Sequence, residues 1–505
     1  MLKRAGSRTS PWDMVIIGGG ATGLGIAVDA ASRGYEVLLI EQSDFAKGTS
    51  SRSTKLVHGG VRYLQQGNIS LVMEALRERG IMRRNAPHLV HDLPFVVPSY
   101  AWWESPYYGI GLKVYDLLAG KFGFARSRMI SSDEVLSLVP TVQTEGLRGG
   151  TLYHDGQFDD ARLAINLART AAEQGATIVN YVAAIGLTKS ADGMVHGVNC
   201  RDVESNNEFH AAAKIVINAC GPLIDGVRRM DDPNCKPMIA PSQGVHLVFP
   251  KSVVPGTSAL MVPHTDDGRV LFAIPWHDRA VIGTTDSPLH EATLEPRATA
   301  EEVDFILANA SRYLAHSISR DNMLAVFAGI RPLAGNPDED TNTAAVSRDF
   351  SIHISDSGLL SIGGGKWTTY RHMAEEAVNK SAEFAELAAS PCVTKELNIH
   401  GYHENAERFG DLWWYGTDAV EIEAIIRSDQ SLGEKLHPDL ALRAAEIVWA
   451  TRSEMARTVE DVLSRRSRSL LLGAKAAIEC APKVAAIMAN EGPKPYAGRR
   501  RVPAL

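Results

Sequence analysis

The stretch VIIGGGATGLG, residues 15–25, constrains the fold of this chain more than any other. Glycines at 18, 20 and 23 stand in the GxGxxG spacing between an apolar run, Met14–Ile17, and a segment predicted to be helical from about Gly23 to Ser32. A second β run, Glu36–Ile40, follows, so the whole reads as a βαβ unit. Each glycine has a mechanical reason. The first makes a tight turn, the second lets the backbone approach a pyrophosphate, and the third lets helix and strand pack closely. The helix start then offers free N–H groups and partial positive charge to phosphate. Thr22 belongs to the same loop, and Glu41, which ends the second strand, can accept hydrogen bonds from ribose hydroxyls. Strand, loop, helix and strand-end acid together favour a dinucleotide site over a glycine-rich turn that only allows close packing. The motif alone does not separate FAD from NAD.

The remaining sheet signals are scattered. Ala211–Ala219 is an apolar β run ending at Gly221 and Pro222, and Leu359–Ile362 is another, ending at Gly363. β elements that stop at glycine and are separated by long insertions predict a discontinuous parallel sheet. Residues 240–285 alternate turn residues with short β runs (Val245–Phe249, Val270–Ile274, Ala280–Ile282), predicting an antiparallel sheet that faces substrate. From about Glu396 the chain reads as helical, with Glu446–Arg466 a long amphipathic segment, and it closes on a basic tail, 498–505. At 505 residues two or three domains are expected, because a single core stops growing at about 250–300 residues.

Composition narrows the class. The 45% hydrophobic and 22% charged residues describe a globular chain, and the net charge of -7 gives no general reason to expect nucleic acid. Cys200, Cys220, Cys235, Cys392 and Cys480 are far apart and form no CxxC pair, so neither a metal site nor a disulfide framework is expected, and a reduced, cytoplasmic setting fits. The basic first ten residues lead into a strand starting at Asp13 instead of an apolar leader core, so no secretory signal is expected. No apolar run is long enough to span a bilayer, which leaves surface attachment open.

Two further segments point to FAD. Thr49, Ser50 and Ser53 lie in a hydroxyl-rich loop after the second strand, and GGGKWTTYR, residues 363–371, is again strand, glycines, helix. A second glycine-rich helix start, here with Gly364, Lys366 and Thr368, can close over the far end of a long cofactor and place N–H groups at a flavin carbonyl. An NAD enzyme has no obvious need of it. The segments GTSSRSTKLVHGGVRYL, HDGQFDDARL, IPW, IGTTD, GIRPL and GGGKWTTYR, in that order, resemble the FAD-dependent glycerol-3-phosphate dehydrogenases, within the D-amino-acid-oxidase-like flavoproteins. The likeness spans residues 13–380, and the helical part with EMARTVEDVL resembles the family's cap domain.

The expected architecture is therefore α/β: a discontinuous Rossmann-like FAD-binding domain (13–85, 151–235 and 336–385), an antiparallel-sheet substrate domain (86–150 and 236–335) and a helical C-terminal domain (395–505). A phosphorylated polyol needs cations for its dianion, and Arg62, Arg331 and Lys366 are the candidates, each beside glycine or proline in a turn. The resemblance implies substrate contacts for Arg62, Tyr63, Arg331 and Lys366, and places Thr285 in the same pocket. Oxidising a secondary alcohol needs a base while hydride passes to flavin N5. His58 and His246 are the chemically natural candidates, and Arg331 can instead orient the alcohol. The residues leave that choice open. They also leave open another polyol phosphate such as erythritol phosphate, an oxidase, and a non-catalytic flavin-fold binding protein. Residues 100–128 concentrate Trp102, Trp103, Tyr107, Tyr108 and Tyr115 with Lys113, Arg126 and Arg128, a pattern shared by a core helix and a membrane-surface helix. The resemblance favours the second: it implies a peripheral enzyme on the inner face of the cell membrane, passing electrons to a quinone. A homodimer is compatible with the sequence.

Overall fold

The computed structural model describes residues 1–60, 68–315, 318–335 and 349–491. Its first sheet runs in the order Phe350–Ile354, Leu360–Gly364, Glu208–Asn218, Trp12–Ile17, Val37–Glu41, Thr177–Asn180. Every pairing after the first is parallel. The expected scattered parallel sheet is thus present, and its central strands, taken from residues 12–17, 208–218 and 360–364, run in one direction. Their carboxyl ends, with Gly18, Cys220 and Gly365 just beyond, share one edge, which is where an open α/β sheet binds its ligand.

The helix behind that edge spans Ala21–Ser32, two residues earlier than the apolar pattern suggests. Gly20 takes the N-cap position without a side chain to cap with, and Ser50 Oγ accepts the Ala21 N–H at 2.9 Å instead. A cap supplied from a distant loop is invisible to local sequence rules. Leu24, Ile26, Ala27 and Ala30 are all buried, as a helix covered on several sides requires. One cover is the helix Tyr370–Phe384: a Cβ on Gly25 would lie 2.8 Å from the Tyr370 ring.

The second sheet contains Ser287–Pro288, Ile239–Pro250, Arg279–Gly283, Leu271–Trp276, Ala259–Val262, Val90–Ser99, Gly149–Phe158 and Leu56–Val57 in spatial order. Its pairings are antiparallel, apart from the parallel contact of Ala259–Val262 with Val90–Ser99. The strand Gly149–Phe158 crosses the boundary expected at 150, because it pairs along its full length with Val90–Ser99.

The C-terminal part is helical, as expected, but Glu446–Arg466 is not one continuous helix. The helix Ala444–Ser453 stops where Met455 takes a positive φ of 57°, and a π-helical turn, Asp461–Arg466, follows. Buried charges explain the break. Glu454 is withdrawn from solvent to meet Arg162, and Arg465 and Arg466 converge on Asp44 of the FAD-binding part. Arg466 grips Asp44 in two-pronged fashion at 2.6 and 2.9 Å, and Arg465 Nε lies 2.5 Å from the same carboxylate. Burial alone would raise the Asp44 pKa, yet the charges of Arg466 and Arg465 override it and hold the carboxyl at about 2. An amphipathic pattern assigns such arginines to a solvated face; here they are the rivets between two parts of the chain.

Candidate active site

A cleft of about 680 Å³ runs from Gly18 to Lys366. At its dinucleotide end the glycines leave no room for side chains. Gly18 has φ 113°, and a Cβ on Gly23 would stand 1.9 Å from the Gly18 carbonyl oxygen. Glu41 lines the cleft with both oxygens already accepting backbone N–H groups, Gly19 at 2.7 Å and Ser43 at 2.8 Å. Burial, the dominant influence, raises its pKa in spite of those bonds. The acid therefore shapes the loop as well as offering remaining lone pairs to a ribose. Thr22, Thr49, Ser50 and Ser53 also line the wall. The last three use their hydroxyls to join elements: Thr49 to the Ile330 carbonyl at 2.5 Å, Ser50 to Ala21, and Ser53 to Asp160 at 2.7 Å. Glycines that a Cβ would obstruct, a helix start lining the cleft and an acidic strand end fit an FAD dinucleotide.

At the opposite end, Gly363, Gly364, Gly365, Lys366 and Thr368 come to the same cleft, with Gly364 and Gly365 at φ 81° and 73°. The indole of Trp367 donates to the Ser50 carbonyl at 2.9 Å, tying the second glycine loop to the first hydroxyl loop. His58, His246 and Arg331 line this end. Arg331 leaves the strand Ala325–Ala334, donates to the Thr284 hydroxyl at 3.0 Å and stands 3.4 Å from Asp286. Gly244 makes that approach possible, since a Cβ there would be 2.5 Å from the Arg331 guanidinium. His246 is buried and stacked on Phe327, with centroids 4.9 Å apart, and its Nε2 is 2.9 Å from the Thr54 hydroxyl. Burial first, then the charges of Arg331 and Lys55, push its pKa well below the ordinary value, so the ring is neutral.

Thr285 does not join them. It is buried, its hydroxyl donates to Glu302 at 3.1 Å and accepts the Val245 N–H at 3.0 Å, and it is absent from the cleft wall. Its neighbours Thr284 and Asp286 face Arg331 instead. Side chains alternate along extended chain, so of the TTD triplet the flanking residues and the middle one point opposite ways; that two-residue period was the available signal. Arg62 and Tyr63 lie outside the described residues. Thr54, which has no feature in the sequence that marks it as a site residue, lines the cleft and bonds His246.

Tyr115 braces this end from behind. Its hydroxyl accepts the Gly59 N–H at 2.8 Å and donates to Asp155 at 2.7 Å, and Asp155 is held by Arg79 at 2.5 Å. Replacing Tyr115 with phenylalanine strands a buried N–H beside His58, which costs about 1–3 kcal/mol. We expect a lower thermal midpoint in Tyr115→Phe, measured by calorimetry, with a smaller change when Tyr35, bonded at the surface to the Ala388 carbonyl, is altered the same way.

Two sheets, a glycine cradle and a cationic far end define an FAD-dependent oxidoreductase. A family model described as FAD dependent oxidoreductase matches residues 13–371, and one described as the C-terminal domain of alpha-glycerophosphate oxidase matches residues 362–493. The chain is 40% identical to the mitochondrial glycerol-3-phosphate dehydrogenase of Rattus norvegicus, over 96% of this chain and 71% of that protein. It is 39% identical to a mitochondrial glycerol-3-phosphate dehydrogenase of Arabidopsis thaliana, over 96% of this chain and 84% of that protein. Among solved structures, glycerol-3-phosphate dehydrogenase from Bacillus halodurans, complexed with FAD, superposes with a TM-score of 0.73 at 27% identity, covering 97% of each chain. The chain belongs to the FAD-dependent glycerol-3-phosphate dehydrogenase family.

Proposed function

We propose that this FAD-dependent dehydrogenase oxidises sn-glycerol 3-phosphate to dihydroxyacetone phosphate with His246 as the base, and delivers the electrons to a quinone at a membrane surface. The substrate reading is carried by the 40% identity over 96% of the chain to a named glycerol-3-phosphate dehydrogenase. FAD supplies the hydride acceptor when bound. Arg331 and Lys366, at the far end of the cleft, are suited to a phosphate dianion, the first as a planar fork and the second as a point charge. Neutral His246 takes the hydroxyl proton, and the arriving phosphate offsets the positive charge the ring then gains beside Arg331. Anaerobic mixing tests the reading. Glycerol 3-phosphate is expected to bleach the flavin band, and erythritol phosphate and glycerol to leave it; no bleaching at saturating glycerol 3-phosphate sinks the proposal.

The quinone and membrane reading draws support from the helix Glu104–Ala119. Trp103, Tyr107, Ile110, Val114 and Leu117 recur at intervals of three and four and are exposed, Ile110 by 68% and Leu117 by 80%, with Trp102 at 80% beside them. Tyr108, Leu112 and Tyr115 fill the opposite, buried face. A helix with an apolar stripe on its outer side suits the headgroup boundary of a bilayer. None of the described helices is long and apolar enough to cross a membrane. We expect the double substitution Ile110→Glu with Leu117→Glu to lower co-sedimentation with anionic lipid vesicles at least tenfold while glycerol 3-phosphate still bleaches the flavin; undiminished co-sedimentation refutes this surface.

A further inference from the structure

Behind the cleft wall lies a fully buried ion pair that takes no part in the chemistry described so far. Lys55 and Asp160 each have no exposed side-chain surface, and neither lines the cleft. The Lys55 ammonium donates to both Asp160 oxygens at 2.8 Å and to the Ser51 carbonyl at 2.7 Å, which uses all its protons. Asp160, in the first turn of the helix Asp160–Glu173, also accepts from the Ser53 N–H at 3.1 Å, the Ser53 hydroxyl at 2.7 Å and the Ala161 N–H at 2.7 Å. Lys55 does this from a positive φ of 65°, a conformation that costs a lysine energy. A buried ion pair is weak evidence of stabilisation, because desolvation cancels much of the attraction. Its geometry indicates another use.

The residue between the two attachment points is Thr54. Ser53 on one side and Lys55 on the other are both fastened to Asp160, and the Lys55 N–H closes the loop onto the Ser53 hydroxyl at 3.0 Å. Thr54 therefore has little freedom, and its hydroxyl stands 2.9 Å from His246 Nε2. The same ammonium lies 5.2 Å from the Phe327 ring centroid, and that ring is the platform on which His246 stacks. On a further side a Cβ at Gly283 would be 2.3 Å from His246 Cδ2, so glycine there lets the imidazole seat fully. His246 Nδ1 has no hydrogen-bond partner among the described residues. The bond to Thr54 runs in either direction according to the tautomer, and the tautomer that donates from Nε2–H leaves Nδ1 with the lone pair.

We propose that Lys55 and Asp160 are positioning residues for the oxidation: their ion pair fixes Thr54 and Phe327, and these two fix the orientation and tautomer of His246. The proposal rests on the assignment of His246 as the base. It predicts a loss in the chemical step that leaves substrate affinity intact.

Single-turnover flavin reduction by glycerol 3-phosphate, followed anaerobically over a range of concentrations in the FAD-loaded protein, separates the two quantities. Thr54→Val is expected to lower the limiting rate tenfold or more while the apparent Kd moves less than twofold and FAD content is unchanged. Thr54→Ser, which keeps the hydroxyl, is expected to restore most of the rate. Lys55→Met and Asp160→Asn should reproduce the rate loss, and the Thr54→Val/Lys55→Met double variant should be no slower than the slower single one, because one path is being cut twice. Reduction of Thr54→Val at the wild-type rate overturns the proposal, even if the ion-pair variants lose FAD or fail to fold. So does a loss confined to Kd. Failure of the wild-type protein to bleach would instead overturn the substrate reading, so the two failures are distinguishable.

Discussion

Gly23→Ala is expected to leave a folded protein that retains no FAD. The new Cβ would stand 1.9 Å from the Gly18 carbonyl oxygen, a backbone atom that cannot rotate aside. Relief requires the loop 18–22 to move off the start of the helix Ala21–Ser32, and that loop is what carries N–H groups to the pyrophosphate. Helix and strand themselves remain packed through Leu24, Ile26, Met14 and Ile16. We therefore expect a near-native circular dichroism spectrum with loss of the flavin absorbance, and at least a hundredfold weaker FAD binding by equilibrium titration. Retention of stoichiometric FAD would show that the cradle is softer than its contacts imply. Gly34→Ala is the matched control: it also has positive φ, 88°, but open space where its Cβ would go, so it should cost only some stability.

Asp44→Asn is expected to undock the C-terminal part. Two guanidiniums, Arg465 and Arg466, would be left buried against a neutral amide, and breaking a buried charge network from one side costs about 3–5 kcal/mol. The helical segment also meets the FAD-binding part through Arg162 and Glu454, so local release around 454–466 precedes global unfolding. Limited proteolysis should cut the variant in this region well before the wild type. Acid should mimic the substitution. The folded Asp44 pKa of about 2 lies below the ordinary 3.8, so its contribution is complete above about pH 4 and is lost as pH falls through 2. Proteolytic release of the wild-type protein is expected to rise within that window, and the variant to show a weaker dependence there.

Features written in contiguous residues were legible in the sequence. The βαβ unit, the second glycine loop and the antiparallel runs from 240 to 285 each carry their signal in one contiguous stretch, and each has its expected place in the structure. Gly18 and Gly20, and Lys366 with Arg331, come to one cleft, with Gly23 packed against the Gly18 carbonyl behind it. What local reading could not supply were bonds between distant residues. Ser50 looks like a cofactor hydroxyl, yet it caps a helix that begins 29 positions earlier. Glu446–Arg466 has a helix's periodicity, but the charges at 454, 465 and 466 find partners at 162 and 44, and those partners bend the chain. Thr285 fits the IGTTD motif, but which of its residues meets Arg331 depends on the phase of alternation carried on from the preceding strand. Thr54 lies inside the GTSSRSTKLVHGGVRYL segment, but its place beside His246 is set through Ser53 and Lys55 by Asp160, more than a hundred positions away.

The order of strands in the parallel sheet also bears on how the protein is made. The strand Trp12–Ile17 lies between Val37–Glu41 and Glu208–Asn218, and Leu360–Gly364 completes that edge. A nascent chain displaying its first glycine loop has only one of the neighbours needed to close the sheet. The second emerges after some two hundred residues, and the loop that meets the flavin end, at 363–366, much later still. Pairings so remote in sequence close slowly, and unpaired strand edges invite aggregation while they wait. A ribosome-bound fragment ending before residue 366 is therefore expected to retain no FAD when free FAD is supplied during translation. The rivets from Arg465 and Arg466 to Asp44 are made later again, some four hundred residues after the strand that leads to Asp44.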